Sequence, residues 1–103
     1  MNEYQKQAKL FCLPQAYTQS YLTLGLAAEA GEVAGKLAKY IRDGNSFPQF
    51  KKDISAELGD VLWFVAVLSD FYGVSLEDIA KQNIEKLDSR KQRNAIQGSG
   101  DTR

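Results

Sequence analysis

Residues 20–42, SYLTLGLAAEAGEVAGKLAKYIR, decide the fold. Leu22, Leu26, Val33, Leu37 and Ile41 recur at helical spacing, and Asp43-Gly44-Asn45 stops the run. At about 100° per residue these side chains share one narrow sector with Glu29 and Tyr40, so a glutamate lies in the middle of an apolar stripe and is expected to be buried. Glu32 follows one turn later, on a flank shared with Gly25 and Lys36, and points into the same region. The residues around the two acids, Ala27, Ala28, Ala30, Gly31, Ala34 and Gly35, are all small, which predicts close approach by another helix or a ligand.

The next segment repeats the arrangement. It begins near Gln49, after Pro48, and runs through Ile54, Leu58, Val61, Val65 and Leu68 to Gly73. Glu57 and Asp60 lie on the sector continued by Phe64, Val67 and Phe71. A shorter helix is expected over about Asn2 to Phe11, ended by Pro14, and a fourth from the N-cap Ser75 to about Asn94. No strand-like alternation interrupts this pattern. The expectation is an all-α fold, a helical bundle of about four helices, with one domain over residues 1–97 and a flexible tail over 98–103. The short connection makes the two long helices an antiparallel pair. The stretch from Val61 to Leu68 is apolar almost all round, more than one neighbour can cover, so a four-helix core completed in a homo-oligomer, at least a dimer, is expected.

Composition narrows the chemistry. Of 103 residues, 44% are hydrophobic and 25% charged, which is ordinary for a globular protein. No apolar run reaches the roughly 18 residues of a membrane span, and Met1 to Gln7 carries no secretion signal, so a cytoplasmic protein is expected. Thirteen basic residues balance thirteen acidic ones, which argues against coating a nucleic-acid polymer. The chain has no histidine and one cysteine, Cys12, which excludes Cys/His zinc sites, serine–histidine triads and disulfides within the chain. Cys12 reads as a small buried hydrophobe.

What remains is carboxylate and cation chemistry. Antiparallel packing brings Glu29, Glu32, Glu57 and Asp60 to one level, where four like charges in a partly buried space require a counter-charge. An all-oxygen set selects Mg²⁺, with Mn²⁺ as the second choice. The plain alternative is a set of surface pairs such as Glu32 with Lys36 at i,i+4; two acid pairs on facing helices favour the metal. On the fourth helix Asn83, Lys86, Arg90 and Arg93 fall on one face suited to polyphosphate oxygens, with a solvated basic face as the plain alternative, strongest for Arg93. Lys36 joins them as a substrate-binding candidate. Trp63, Phe64, Phe71 and Tyr72 read first as core or subunit contacts, with Trp63 and Tyr40 as candidates for lining a base pocket.

The strings LAAEAGEV at residues 26–33 and ELGDVLW at residues 57–63 closely resemble the MazG-like nucleoside triphosphate pyrophosphohydrolases of the all-α NTP pyrophosphatase superfamily. The likeness continues through Asn83, Lys86, Ser89, Arg90 and Lys91 to Gly98-Ser99-Gly100-Asp101. It implies hydrolysis of the α–β phosphoanhydride bond of a (deoxy)nucleoside triphosphate to monophosphate and pyrophosphate. Glu29, Glu32, Glu57 and Asp60 match the family's E-x-x-E and E-x-x-D metal motif, and Glu32 is the candidate that orients or deprotonates the attacking water. Ala28 stands where some relatives have an additional acid, and Asn94 and Gln97 stand where relatives often have glycine and histidine. The motif also fits a pyrophosphohydrolase acting on phosphoribosyl-ATP or dUTP. A non-catalytic helical dimerisation module stabilised by metal is the alternative outside enzymes.

Overall fold

The computed structural model describes residues 1–93, which form helices and no strand: α1 (Asn2–Lys9), a 3₁₀ turn (Pro14–Ala16), α2 (Gln19–Asp43), α3 (Phe47–Phe71) and α4 (Leu76–Gln92). The expected tail over 98–103 lies outside the described residues. No helix among those described is long and apolar enough to cross a membrane.

Local signals fix the helix ends. Thr18 Oγ1 accepts the Tyr21 N–H at 3.1 Å, Ser46 Oγ that of Gln49 at 3.3 Å and Ser75 Oγ that of Asp78 at 3.0 Å, so each of the three longer helices starts on a hydroxyl cap. Gly44 closes α2 at φ 66°, a left-handed position open to glycine, with its N–H on Tyr40 O. α3 starts at Phe47, ahead of the expected Gln49, because Pro48 fits inside the first turn, where an N–H has no intrahelical partner to lose. α1 stops at Lys9, short of Phe11. The N–H groups of Leu10, Phe11 and Cys12 tighten onto carbonyls three residues back, and Leu13 turns extended ahead of Pro14.

α2 and α3 pack along each other as an antiparallel hairpin, while α1 packs on α3 and α4 packs on both α1 and α3. At Gly25 the helices approach so closely that an added Cβ would lie 2.2 Å from the Phe64 ring; Gly31, Gly35 and Gly59 face open space instead. Close approach therefore occurs one turn before the acids, not around Gly31 and Gly35 as expected. The core comprises Ala8, Leu22, Phe64, Ala66, Val67 and Leu76, with Leu26, Trp63, Val65, Leu68 and Phe71 packed against it.

Buried polar groups tie α1 down. The amide of Gln5, 7% exposed, donates to Ala66 O at 3.0 Å and Val74 O at 3.1 Å and accepts the Leu76 N–H at 2.9 Å, joining α1, α3 and the start of α4. Trp63 Nε1 donates to Ala8 O at 3.0 Å. Tyr17 Oη donates to Asp70 Oδ2 at 2.5 Å, and Lys9 Nζ meets the same oxygen at 2.9 Å. Cys12 is half-buried against the core, and burial pushes its thiol pKa up, as for an unreactive hydrophobe.

This core occupies one end of the hairpin. The α2 stripe fades toward the loop, from Leu22 at 0% exposed to Leu37 at 47% and Ile41 at 73%. The stripe identifies a face, but α1 and α4 pack on α3 rather than along the far half of α2. The molecule is a flat plate of 42 × 41 × 24 Å with a radius of gyration of 16.4 Å, against about 13 Å for a compact domain of this length.

Candidate metal and nucleotide site

The hairpin register builds the acid cluster. Gly25 against Phe64 and the Tyr40 ring stacked on Phe50 fix the antiparallel alignment, and on it Glu29 falls opposite Asp60. Glu29, Glu57 and Asp60 each offer an oxygen within 4.8 Å of the other two; the two glutamates are half-buried and the aspartate exposed. Glu32 is exposed and stands outside this trio, although its charge reaches Glu29.

Electrostatics mark the trio as short of positive charge. The Glu29 carboxyl is pushed above the usual glutamate range, first by desolvation, then by the negative charges of Asp60, Glu57 and Glu32, and finally by a hydrogen bond with Glu57. Like charge crowded in this way is relieved by a bound cation. Three hard oxygens with an open, exposed side fit Mg²⁺ or Mn²⁺, which retain several waters when bound by protein carboxylates. The residues present fit a divalent ion.

One lysine reaches the trio from the loop side. Lys36 Nζ lies 3.9 Å from Glu57 Oε1, across the hairpin. The plain alternative paired Lys36 with Glu32, one turn away on the same helix; the observed pair links α2 to α3 instead. Lys36 also lines a cleft of about 90 Å³ with Lys39, Tyr40, Asn45, Phe50 and Asp53. Tyr40 and Phe50 stack at 4.3 Å between ring centroids, 25° apart in plane. The cleft thus adjoins the acids and carries aromatic rings and lysines. Tyr40, a candidate for lining a base pocket, borders this cleft, whereas Phe50 was not anticipated, because the hairpin register alone brings it to Tyr40.

The other candidates lie elsewhere. Trp63 is committed to the α1–α3 contact through its bond to Ala8 and stands edge-on to Phe64, a packing role. On α4, Asn83 and Lys86 border a shallow cleft with Ile79 and Gln82. Arg90 is only 3% exposed, which speaks against the plain alternative of a fully solvated basic face, and Arg93 Nε donates to Ser89 Oγ at 3.2 Å. The structure unites three of the four acids with Lys36 and sets the α4 candidates on a helix packed against α1 and α3.

The "Gene 37 protein" of Mycobacterium phage L5 is 49% identical over 86 residues, covering 82% of this chain and 75% of the relative. The "Uncharacterized protein YvdC" of Bacillus subtilis (strain 168) is 42% identical over 72 residues, covering 63% of this chain and 68% of the relative. No solved structure matches the chain significantly. The profile of the MazG nucleotide pyrophosphohydrolase domain matches residues 17–94, a span that begins just before α2 and takes in the whole acid-bearing hairpin. With the acid trio and the α2–α3 hairpin inside that span, the chain belongs to the MazG nucleotide pyrophosphohydrolase family.

Proposed function

We propose that the protein is a Mg²⁺-dependent pyrophosphohydrolase that cleaves the α–β bond of a nucleoside or deoxynucleoside triphosphate, releasing monophosphate and pyrophosphate. The observation that carries this reading is the convergence of Glu29, Glu57 and Asp60 within 4.8 Å across two helices of the matched domain. When bound there, Mg²⁺ or Mn²⁺ neutralises polyphosphate charge and acidifies a water molecule. Glu29, Glu57 and Asp60 would hold the ion, with Glu32 beside them.

Exposed and one turn from Glu29, Glu32 accepts the proton of the attacking water. Tyr40, backed by Phe50, offers a ring face to the base, and Lys36 offers an ammonium to the phosphates. Asn83, Lys86, Arg90 and Arg93 supply further polar and cationic groups from α4. No covalent intermediate enters this scheme.

The working form in this reading is a homodimer or homotetramer. A plate 24 Å thick leaves Leu24, Leu37, Ile41, Leu58 and Leu62 exposed on the hairpin, and a second copy would cover such surface and complete a four-helix core. Cytoplasmic operation on free nucleotides belongs to the same reading. The test is a screen of nucleoside triphosphates, dUTP and phosphoribosyl-ATP with Mg²⁺, scoring pyrophosphate: release from one or more supports the activity. Metal-stabilised folding with no pyrophosphate from any of them assigns the chain to a non-catalytic role.

A further inference from the structure

Taking Glu29, Glu57 and Asp60 as a cation site, we infer that Lys36 is its built-in counter-charge, holding Glu57 while the site lacks an ion and yielding that carboxylate to the arriving divalent cation. The ammonium is 3.9 Å from Glu57 Oε1, and the two side chains are only 30% and 16% exposed, so water screens this pair less than an ordinary surface pair. Glu57 in turn belongs to the trio, so Lys36 is the cation that this ion pair sets against the cluster.

Lys36 borders a second acid. Its side chain also lines the cleft beside Tyr40 and Phe50, where Asp53 offers a carboxylate. Asp53 accepts a hydrogen bond from Gln49 at 2.8 Å and keeps a second oxygen for an ammonium. Asp43, also in the cleft, is already clamped by Arg42 at 2.6 Å and competes less. On its own helix Lys36 has Glu32 one turn back and the like-charged Lys39 three residues on. A divalent ion and an ammonium repel each other when both approach Glu57, so ion binding drives Lys36 from the trio toward the cleft, where substrate phosphates would meet it. The lysine therefore couples ion occupancy to the neighbouring cleft.

This predicts two effects of opposite sign. Without Lys36 the ion-free protein loses a partner for Glu57 and becomes less stable, while a divalent ion binds more tightly because no pair has to break. A lysine with a purely structural role would lower both.

The experiment measures Mn²⁺ and Mg²⁺ binding calorimetrically on the chelator-stripped full chain without nucleotide, together with thermal melts in chelator. Wild type, Lys36→Met, Lys36→Gln and Lys36→Arg are compared. Lys36→Met and Lys36→Gln are expected to bind Mn²⁺ roughly fivefold more tightly than wild type, the scale of one partly screened ion pair. Both should melt lower in chelator, and Lys36→Arg should restore wild-type values. Unchanged or weaker Mn²⁺ binding by both neutral variants, with wild type binding measurably, overturns the role of Lys36 and leaves the cation site standing. No Mn²⁺ or Mg²⁺ binding by wild type overturns the cation site and the inference with it.

Discussion

Replacing Gln5 with methionine keeps the length and much of the shape of the side chain and deletes its hydrogen bonds. In the native chain the amide makes three, to Ala66 O, Val74 O and the Leu76 N–H, at 2.9–3.1 Å and almost out of reach of water. The Ala66 carbonyl lies within α3 and keeps its helical partner, so its loss is the mildest. Val74 O and the Leu76 N–H are left facing a thioether. At about 1 kcal/mol net per bond, the variant should lose about 3 kcal/mol of stability, more if the orphaned groups stay dry. For a domain of this size that corresponds to a fall of about 12–24 °C in Tm. Urea unfolding followed by circular dichroism measures it, with an unchanged denaturant slope showing that the native state is intact. The bonds lie at the core end of the hairpin, away from the acids, so the stabilisation gained on adding Mg²⁺ should match that of wild type. A loss below about 0.5 kcal/mol would refute the reasoning, because solvent or a shifted α1 would then be satisfying the freed groups.

The cluster itself should respond in a way that separates function from folding: Glu29→Gln and Asp60→Asn should abolish turnover, yet both should raise the melting temperature in chelator by relieving repulsion around Glu29. Near wild-type turnover in either variant, or lower melting in both, contradicts the metal assignment. The Asp70 carboxyl is held below its usual range, chiefly by the Tyr17 hydrogen bond and then by Lys9, so its folded pKa is lower than its unfolded one. Its contribution is complete above the unfolded value and is lost as pH falls below about 4. Lys9 and Tyr17 are both raised by Asp70, so their contributions fade above about pH 10. Melting temperature against pH should therefore lose part of its acid limb in Asp70→Asn, and an identical limb would show that the pairing adds nothing. Light scattering on dilute active enzyme should find a dimer or tetramer; a monomer with full turnover would remove the need for a partner.

Much of the hairpin was legible because its signals are local. Helical period, hydroxyl caps and the glycine stop at Gly44 act within a turn or two, and the short connection then leaves one alignment that sets Glu29 against Asp60. Boundaries moved by a residue or two where proline chemistry intervened, as at Pro48 and ahead of Pro14. What escaped depends on residues distant in sequence. Gln5 sits in a polar segment with no apolar stripe, and nothing near it in sequence announces partners at Ala66 and Leu76. Lys36 has an acid one turn away, so its bond across the hairpin was hidden behind the nearer choice. The exposure of Leu37 and Ile41 was hidden for a different reason: a stripe shows which face seeks cover and is silent on whether the same chain supplies it.

Product analysis tests whether the acid trio serves attack at the α–β bond. Incubating the purified chain with a nucleoside triphosphate and Mg²⁺, with Glu29→Gln as control, and separating the nucleotide products distinguishes the outcomes. The expected products are monophosphate and pyrophosphate in equal amounts, lost on adding chelator and lost in Glu29→Gln. Nucleoside diphosphate with orthophosphate as the main products, or the same monophosphate yield from Glu29→Gln, would contradict it.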